Sequence, residues 1–181
     1  FNALNYCLSA STLMVMPTGF GKTAVEWMAM ANCLHKKLGK VLLIAPTTGL
    51  VDQQQRMARA MINIDEESII TYTGDNAPAK RPELWNNGTI IIATPQVIRN
   101  DVQNGLIDLT DLGLLIFDEA HHATGNHAYS QVGKLIDQEN PKCTVIGATA
   151  SPGSTEAGIL QVANNLNIRT FSISKKESPL L

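Results

Sequence analysis

"MPTGFGKTA", residues 16–24, follows the apolar run "TLMV" and leads into a stretch rich in Ala, Met, Glu and Leu. Gly21, Lys22 and Thr23 supply the second half of the phosphate-loop pattern G-x-x-x-x-G-K-[ST]. The first glycine of that pattern is missing, and Met16 stands in its place. A loop that leaves a strand and opens a helix turns free backbone N–H groups toward an anion. Lys22 would then reach the outer phosphate oxygens of a nucleotide, and the Thr23 hydroxyl would ligate magnesium. Gly19 and Gly21 let the backbone approach without a Cβ in the way, and Pro17-Thr18 stiffens the entry.

Outward from this loop the chain alternates apolar runs with helix-like segments. The runs are "TLMVM", "KVLLIA", "SIITY", "TIIIAT", "LGLLIFD", "CTVIGAT" and "IRTFSI". Runs that are apolar on both faces and separated by helices imply a doubly wound α/β fold, with a mostly parallel sheet covered by helices on both faces. The first helix is expected from Gly21 to Leu38, with Lys36 and Lys37 at its negative end and Gly39 as its cap. Further helices are expected at Leu50 to Ile62, Pro95 to Asn104, Ala128 to Gln138 and Thr155 to Leu166. Asn87-Gly88-Thr89 fits a glycosylation pattern but reads as a turn before a strand.

A second motif completes the first. "LLIFDEAH", Leu114 to His121, is a buried strand ending in two adjacent carboxylates, where an open α/β sheet places its ligand chemistry. Asp118 is expected to hold magnesium, and Glu119 to orient or deprotonate an attacking water. His121, His122 and His127 lack the H-E-x-x-H spacing of helical zinc ligation, so His122 and His127 read as ordinary loop residues.

A length of 181 residues with 44% hydrophobic and 17% charged residues suits one domain with a sizeable core, spanning 1–181. The formal net charge of -2 provides no global field for nucleic acid or an anionic membrane, so any nucleic-acid contact must be local. Cys7, Cys33 and Cys143 never show C-x-x-C spacing, which argues against a disulfide framework and a zinc site and points to a reducing compartment, cytoplasmic or nuclear. No apolar run reaches transmembrane length.

With "PTGFGKT" before "DEAH" and "GATASPG" after it, the sequence resembles the superfamily 2 helicases and translocases of DEAH type. Within them it resembles above all the archaeal Hef and eukaryotic FANCM-type group, with the Dicer and RIG-I-like helicases more distant. The likeness continues through "APTTGLVDQQ", "YTG", "ATPQVIRND" and "DEAHHATGNHAYSQV", covering nearly the whole chain. That family often lacks the first loop glycine, so Met16 reads as a tolerated variant. The resemblance implies the first RecA-like, P-loop NTPase domain of an ATP-dependent motor, with ATP and Mg2+ as cofactors. A second RecA-like domain of the same parent chain would supply an arginine finger.

Carried over position by position, the resemblance implies that Pro17, Thr18, Gly19, Phe20, Gly21, Lys22 and Thr23 hold the nucleotide, Thr23 and Asp118 the metal. Glu119, Asp118, Lys22 and His121 would serve catalysis. His121 with Thr149, Ala150 and Ser151 would couple the nucleotide state to movement. Pro46, Thr47, Gln53, Thr73, Gly74, Thr94, Pro95 and Gln96 would form the nucleic-acid track, holding phosphates and sugars without reading bases. Hef-like sequences usually carry Lys where Thr48 stands and Arg where His122 stands, so two positive charges are missing. DNA, branched or duplex, is the expected substrate; an RNA helicase or a RIG-I/Dicer-like duplex-RNA-dependent ATPase is the alternative. A small-molecule kinase would need a lid with several arginines, whereas those after the loop are scattered singly.

Overall fold

The computed structural model describes residues 11–16, 21–123, 127–150, 156–166, 168 and 170–173. Its strands are β1 (Thr12–Val15), β2 (Lys40–Ile44), β3 (Ile69–Tyr72), β4 (Ile90–Ala93), β5 (Leu112–Asp118), β6 (Thr144–Thr149) and β7 (Thr170–Ile173). They form one sheet in the order β3-β4-β2-β5-β6-β1-β7, and every neighbouring pair is parallel. The helices are α1 (Lys22–His35), α2 (Thr48–Met61), α3 (Arg81–Asn87), α4 (Pro95–Gln103), α5 (Ala128–Glu139) and α6 (Glu156–Asn165).

The apolar runs explain the layering, because successive strand residues point to opposite faces. Met14, Met16, Val41, Leu43, Ile90, Ile92, Leu114 and Ile116 pack on one face with Val25, Ala29 and Met30 of α1 and Val51 and Ala58 of α2. Leu13, Val15, Leu42, Ile44, Ile91, Leu115 and Phe117 pack on the other with Trp85, Ile98, Tyr129, Val132 and Val162 from α3 to α6. Both faces of β1 to β6 are thus covered, as parallel sheets require.

Two expectations need correction. Gly39 does not cap α1: the helix ends at His35, and the left-handed residue that closes it is Lys37, at φ 53. Leu38 N donates to Cys33 O and Lys37 N to Leu34 O, each at 3.1 Å, which satisfies the last carbonyls in a Schellman arrangement. Gly39 serves packing instead, since a Cβ there would lie 2.5 Å from Asp111 O. The short helix α3 was not anticipated; it buries only Trp85 and begins with a proline in its first turn. Asn87 does end that helix, so the Asn87-Gly88-Thr89 turn stands immediately before β4. Among the described residues no helix is long and apolar enough to cross a membrane, and Cys33 and Cys143 are free and buried.

Candidate nucleotide site and adjoining groove

Apart from Gln53, which lies within α2, the anticipated site residues that the structure describes lie at or just beyond the carboxyl ends of strands, at one end of the sheet. Pro17, Thr18, Gly19, Phe20 and Ser151 lie outside the described residues. Met16 shows why the first glycine is dispensable. Its N–H donates to Thr149 O at 3.1 Å, continuing the β1–β6 ladder, and its side chain is buried with Met14 and Val25 beneath α1. A side chain at this position fills core space and keeps its bulk within the apolar layer. Gly21 is different: it caps α1 in the left-handed region at φ 81, which favours glycine.

Lys22 opens α1 with its Nζ 3.3 Å from Asp118 Oδ1 and 3.3 Å from Glu119 Oε1. Burial works against the ammonium charge, but Asp118, Glu119 and Glu26 together outweigh it and hold the Lys22 pKa above its usual value. Thr23 follows in the same turn, half-buried. Asp118 is only 4% exposed. Gln54 Nε2 donates to its Oδ2 at 3.2 Å, while Oδ1 makes no geometrically sound hydrogen bond and lies 3.3 Å from the Lys22 ammonium, with the Glu26 carboxyl also close to Asp118. Beneath it the Tyr129 hydroxyl donates to the Asp118 backbone carbonyl at 2.7 Å. Burial raises the Tyr129 pKa strongly, so the phenol stays a donor.

Glu119 sits at φ 52, ψ 48, a left-handed conformation that costs a non-glycine residue about 1–2 kcal/mol. His121 lies 3.6 Å from Glu119 Oε2, and its Nδ1 is 3.0 Å from Thr149 Oγ1 at the end of β6. Burial first, then the neighbouring His122, lowers the His121 pKa, so the ring is neutral near pH 7. Ala150 continues from Thr149, half-buried. His127 accepts from Tyr129 N as the cap of α5, and His122 stacks between the other two rings, both in structural roles.

A hard divalent cation fits this chemistry. Asp118 presents an orphaned buried oxygen, Thr23 stands in the adjacent turn, and magnesium takes one or two protein oxygens and completes its shell with phosphates and water. Accordingly, among the described residues no cluster of three or more His, Cys, Asp or Glu could hold a metal unaided.

A separate groove of about 390 Å³ runs beside this site, lined by Pro46, Thr47, Gly74, Thr94 and Gln96, together with Thr48, Arg81, Val97 and Asn100. Five of the eight expected track residues therefore meet in one place. Gln53 is exposed on α2, and Thr73 and Pro95 are buried; none of these three lines the groove. Thr47 is held as the cap of α2, accepting from Leu50 N at 3.3 Å. Another cavity, of about 440 Å³, lies at the opposite end of the sheet, by the amino ends of β2, β4 and β5 near Lys40, Thr89 and Asp111, and holds none of these residues.

Sequence reasoning missed Gln54, Tyr129, Glu26 and Arg81. Gln54 and Glu26 carried a usable signal: Gln54, half-buried, shares the face of α2 that buries Val51 and Ala58, and Glu26 falls on the buried stripe Val25, Glu26, Ala29, Met30 of α1.

The DEAD/DEAH box helicase model matches residues 2–158 of the chain. A protein of Methanocaldococcus jannaschii, whose name provisionally describes an ATP-dependent RNA helicase, is 45% identical over 94% of this chain and 22% of its own length. An ATP-dependent DNA helicase of Vanderwaltozyma polyspora is 38% identical over 98% of this chain and 18% of its own. The crystal structure of the Pyrococcus furiosus Hef helicase domain superposes with a TM-score of 0.92 at 40% identity, covering 98% of this chain and 38% of that one. The chain thus spans about a fifth of the length of these two relatives.

Proposed function

The chain belongs to the DEAD/DEAH box helicase family, and we propose that it is the ATP-binding half of a motor that hydrolyses ATP to move on branched or duplex DNA. The observation that carries this reading is the Lys22 ammonium held between Asp118 and Glu119 at the ends of β1 and β5. On nucleotide binding Lys22 turns from the carboxylates to the β- and γ-phosphates, joined by the N–H groups of the loop and the first turn of α1. Thr23 and Asp118 would hold magnesium, which would supply charge neutralisation at the phosphates. Glu119, freed from Lys22, orients a water and takes its proton. His121, tied to Thr149, carries the change at Glu119 to β6. A second RecA-like domain supplies the arginine that completes the site, and the groove from Thr47 to Gln96 holds a nucleic-acid backbone.

The experiment is a pair of variants read by equilibrium nucleotide titration and by turnover. Lys22→Ala should weaken nucleotide binding. Glu119→Gln should leave binding nearly intact and abolish turnover in a protein that also carries the second domain, because Glu119 acts on water rather than on the ground-state phosphates. This chain alone should bind magnesium-ATP and hydrolyse it slowly, since an arginine supplied from elsewhere is worth roughly 10³ to 10⁵ in rate. Glu119→Gln losing ATP affinity as badly as Lys22→Ala would refute the assignment of roles.

The name of the Methanocaldococcus relative favours a second reading, an RNA-dependent motor. Mobility-shift competition among forked DNA, duplex DNA and duplex RNA separates the two.

A further inference from the structure

Beside the Pro46–Thr48 turn, two walls of the groove come from different parts of the chain. One is the turn after β3, which presents Gly74; the other is the start of α4, which presents Gln96 and Asn100. The turn is closed on itself: Asn76 N donates to Thr73 O (3.1 Å), Thr73 N to Asn76 Oδ1 (2.8 Å) and Asp75 N to Thr73 Oγ1 (3.2 Å). One side chain fastens it to the other wall. Arg81, in the first turn of α3, donates from Nη1 to Asn76 O at 3.1 Å, and from Nε and Nη2 to the two Asp101 carboxylate oxygens at 2.7 and 2.9 Å.

Asp101 belongs to α4 and is 1% exposed, and the Tyr72 hydroxyl at the end of β3 also donates to its Oδ2. The Arg81 side chain is itself only 12% exposed, although the residue borders the groove. Its charge is matched by Asp101 and its fork is spent on a carboxylate and a carbonyl, a planar geometry that lysine cannot reproduce. Arg81 is therefore poorly placed to neutralise a phosphate and well placed to set the distance between the walls.

We propose that Arg81 is a positioning residue for nucleic-acid binding, clamping the Thr73–Asn76 turn to α4 so that the Gly74 backbone and Gln96 can engage one phosphodiester strand together. This rests on reading the groove as the nucleic-acid track.

The test uses the isotope-labelled chain titrated with a short oligothymidylate, following the amide shifts of Gly74, Thr94 and Gln96 across a salt series, with nucleotide affinity measured in parallel. Arg81→Lys should weaken oligonucleotide binding about tenfold, leave nucleotide affinity unchanged, keep the salt dependence of the wild type and speed hydrogen exchange at the Thr73 amide. Asn76→Ala, which leaves the buried ion pair alone, should weaken binding in the same direction. The double variant should bind no worse than the weaker single one, since both act through one turn. If Arg81→Lys does not fold, Arg81→Gln, which keeps an amide donor near Asp101 and gives up the bond to the Asn76 carbonyl, decides: wild-type affinity in it overturns the proposal.

A salt slope reduced by about one in Arg81→Lys would mean a direct phosphate contact and overturn the positioning role. Wild-type binding by Arg81→Lys while Gln96→Ala binds weakly would refute the clamp and leave the track standing. No shifts in the wild-type groove, or shifts insensitive to Gln96→Ala, would refute the track and the clamp with it.

Discussion

Glu26 is where the energetics of the site are most directly tested, because it is a buried acid beside Asp118. It lies one helical turn after Lys22, is fully buried, and neither carboxyl oxygen reaches a partner at hydrogen-bond geometry. Burial first, and then the charge of Asp118 close by, push its pKa well above the ordinary carboxylate value of 4.5. A folded-state acid with a raised pKa holds a proton that the unfolded chain gives up. Its stabilising contribution is therefore fully present below about pH 4.5 and is lost as pH rises toward the folded value. Within that window each pH unit costs about 1.4 kcal/mol for the one proton concerned. Glu26→Gln removes the titration, keeps the shape and leaves a neutral amide beside Asp118. The variant should be no more stable than wild type at the acid end and should overtake it as pH rises. Urea unfolding at several values between about pH 5 and pH 8 gives the difference directly, and the pH at which it stops growing reads the folded pKa of Glu26. A stability difference that stays constant across the series would refute the buried, shifted acid.

Two other outcomes are expected. Thr149→Val removes the hydroxyl that meets His121 Nδ1 at 3.0 Å, so in a protein with both motor domains nucleic-acid stimulation of ATP hydrolysis should fall about five- to tenfold with ATP affinity nearly unchanged; that is the worth of roughly one hydrogen bond in coupling. Unaltered stimulation would remove this contact from the coupling path. Gly39→Ala should destabilise the fold by about 2–4 kcal/mol in urea titration, because φ 141 disfavours a side chain and its Cβ would meet Asp111 O at 2.5 Å; a near-neutral result would contradict the close approach.

The strands were legible because an all-parallel sheet buries both faces, so each strand announces itself as an unbroken apolar run without needing its neighbours. The longer helices were legible from their stripes. The seven residues of α3 gave little to read, since burying Trp85 alone sets up no repeat. The cap of α1 was misjudged because glycine is the cheaper left-handed residue, and only the structure shows Gly39 already committed to the Asp111 and Gly113 backbones. The glutamines of "DQQQ" divide in the same way. Gln53 faces solvent, Gln54 reaches Asp118 and Gln55 donates to Ile69 O. The Val51–Ala58 stripe fixes which of them turns inward, but what Gln54 meets there depends on β5 arriving from sixty-four positions away.

The adjacent carboxylates carry the deepest version of that limit. Spacing alone marks Asp118 and Glu119 as a pair, yet neighbouring residues of a regular strand point to opposite faces of the sheet, which would separate them. They converge because the strand stops between them. Glu119 takes the left-handed conformation, His122 N donates to its carbonyl at 3.1 Å to begin the 3-10 turn, and the Tyr129 hydroxyl holds the carbonyl of Asp118. The strain of about 1–2 kcal/mol at Glu119 is thus held in place from both sides by groups far apart in sequence. Its effect is chemical: one Lys22 ammonium reaches both carboxylates at 3.3 Å. An anion that drew Lys22 away would therefore leave both carboxylates without their shared cation in the same movement.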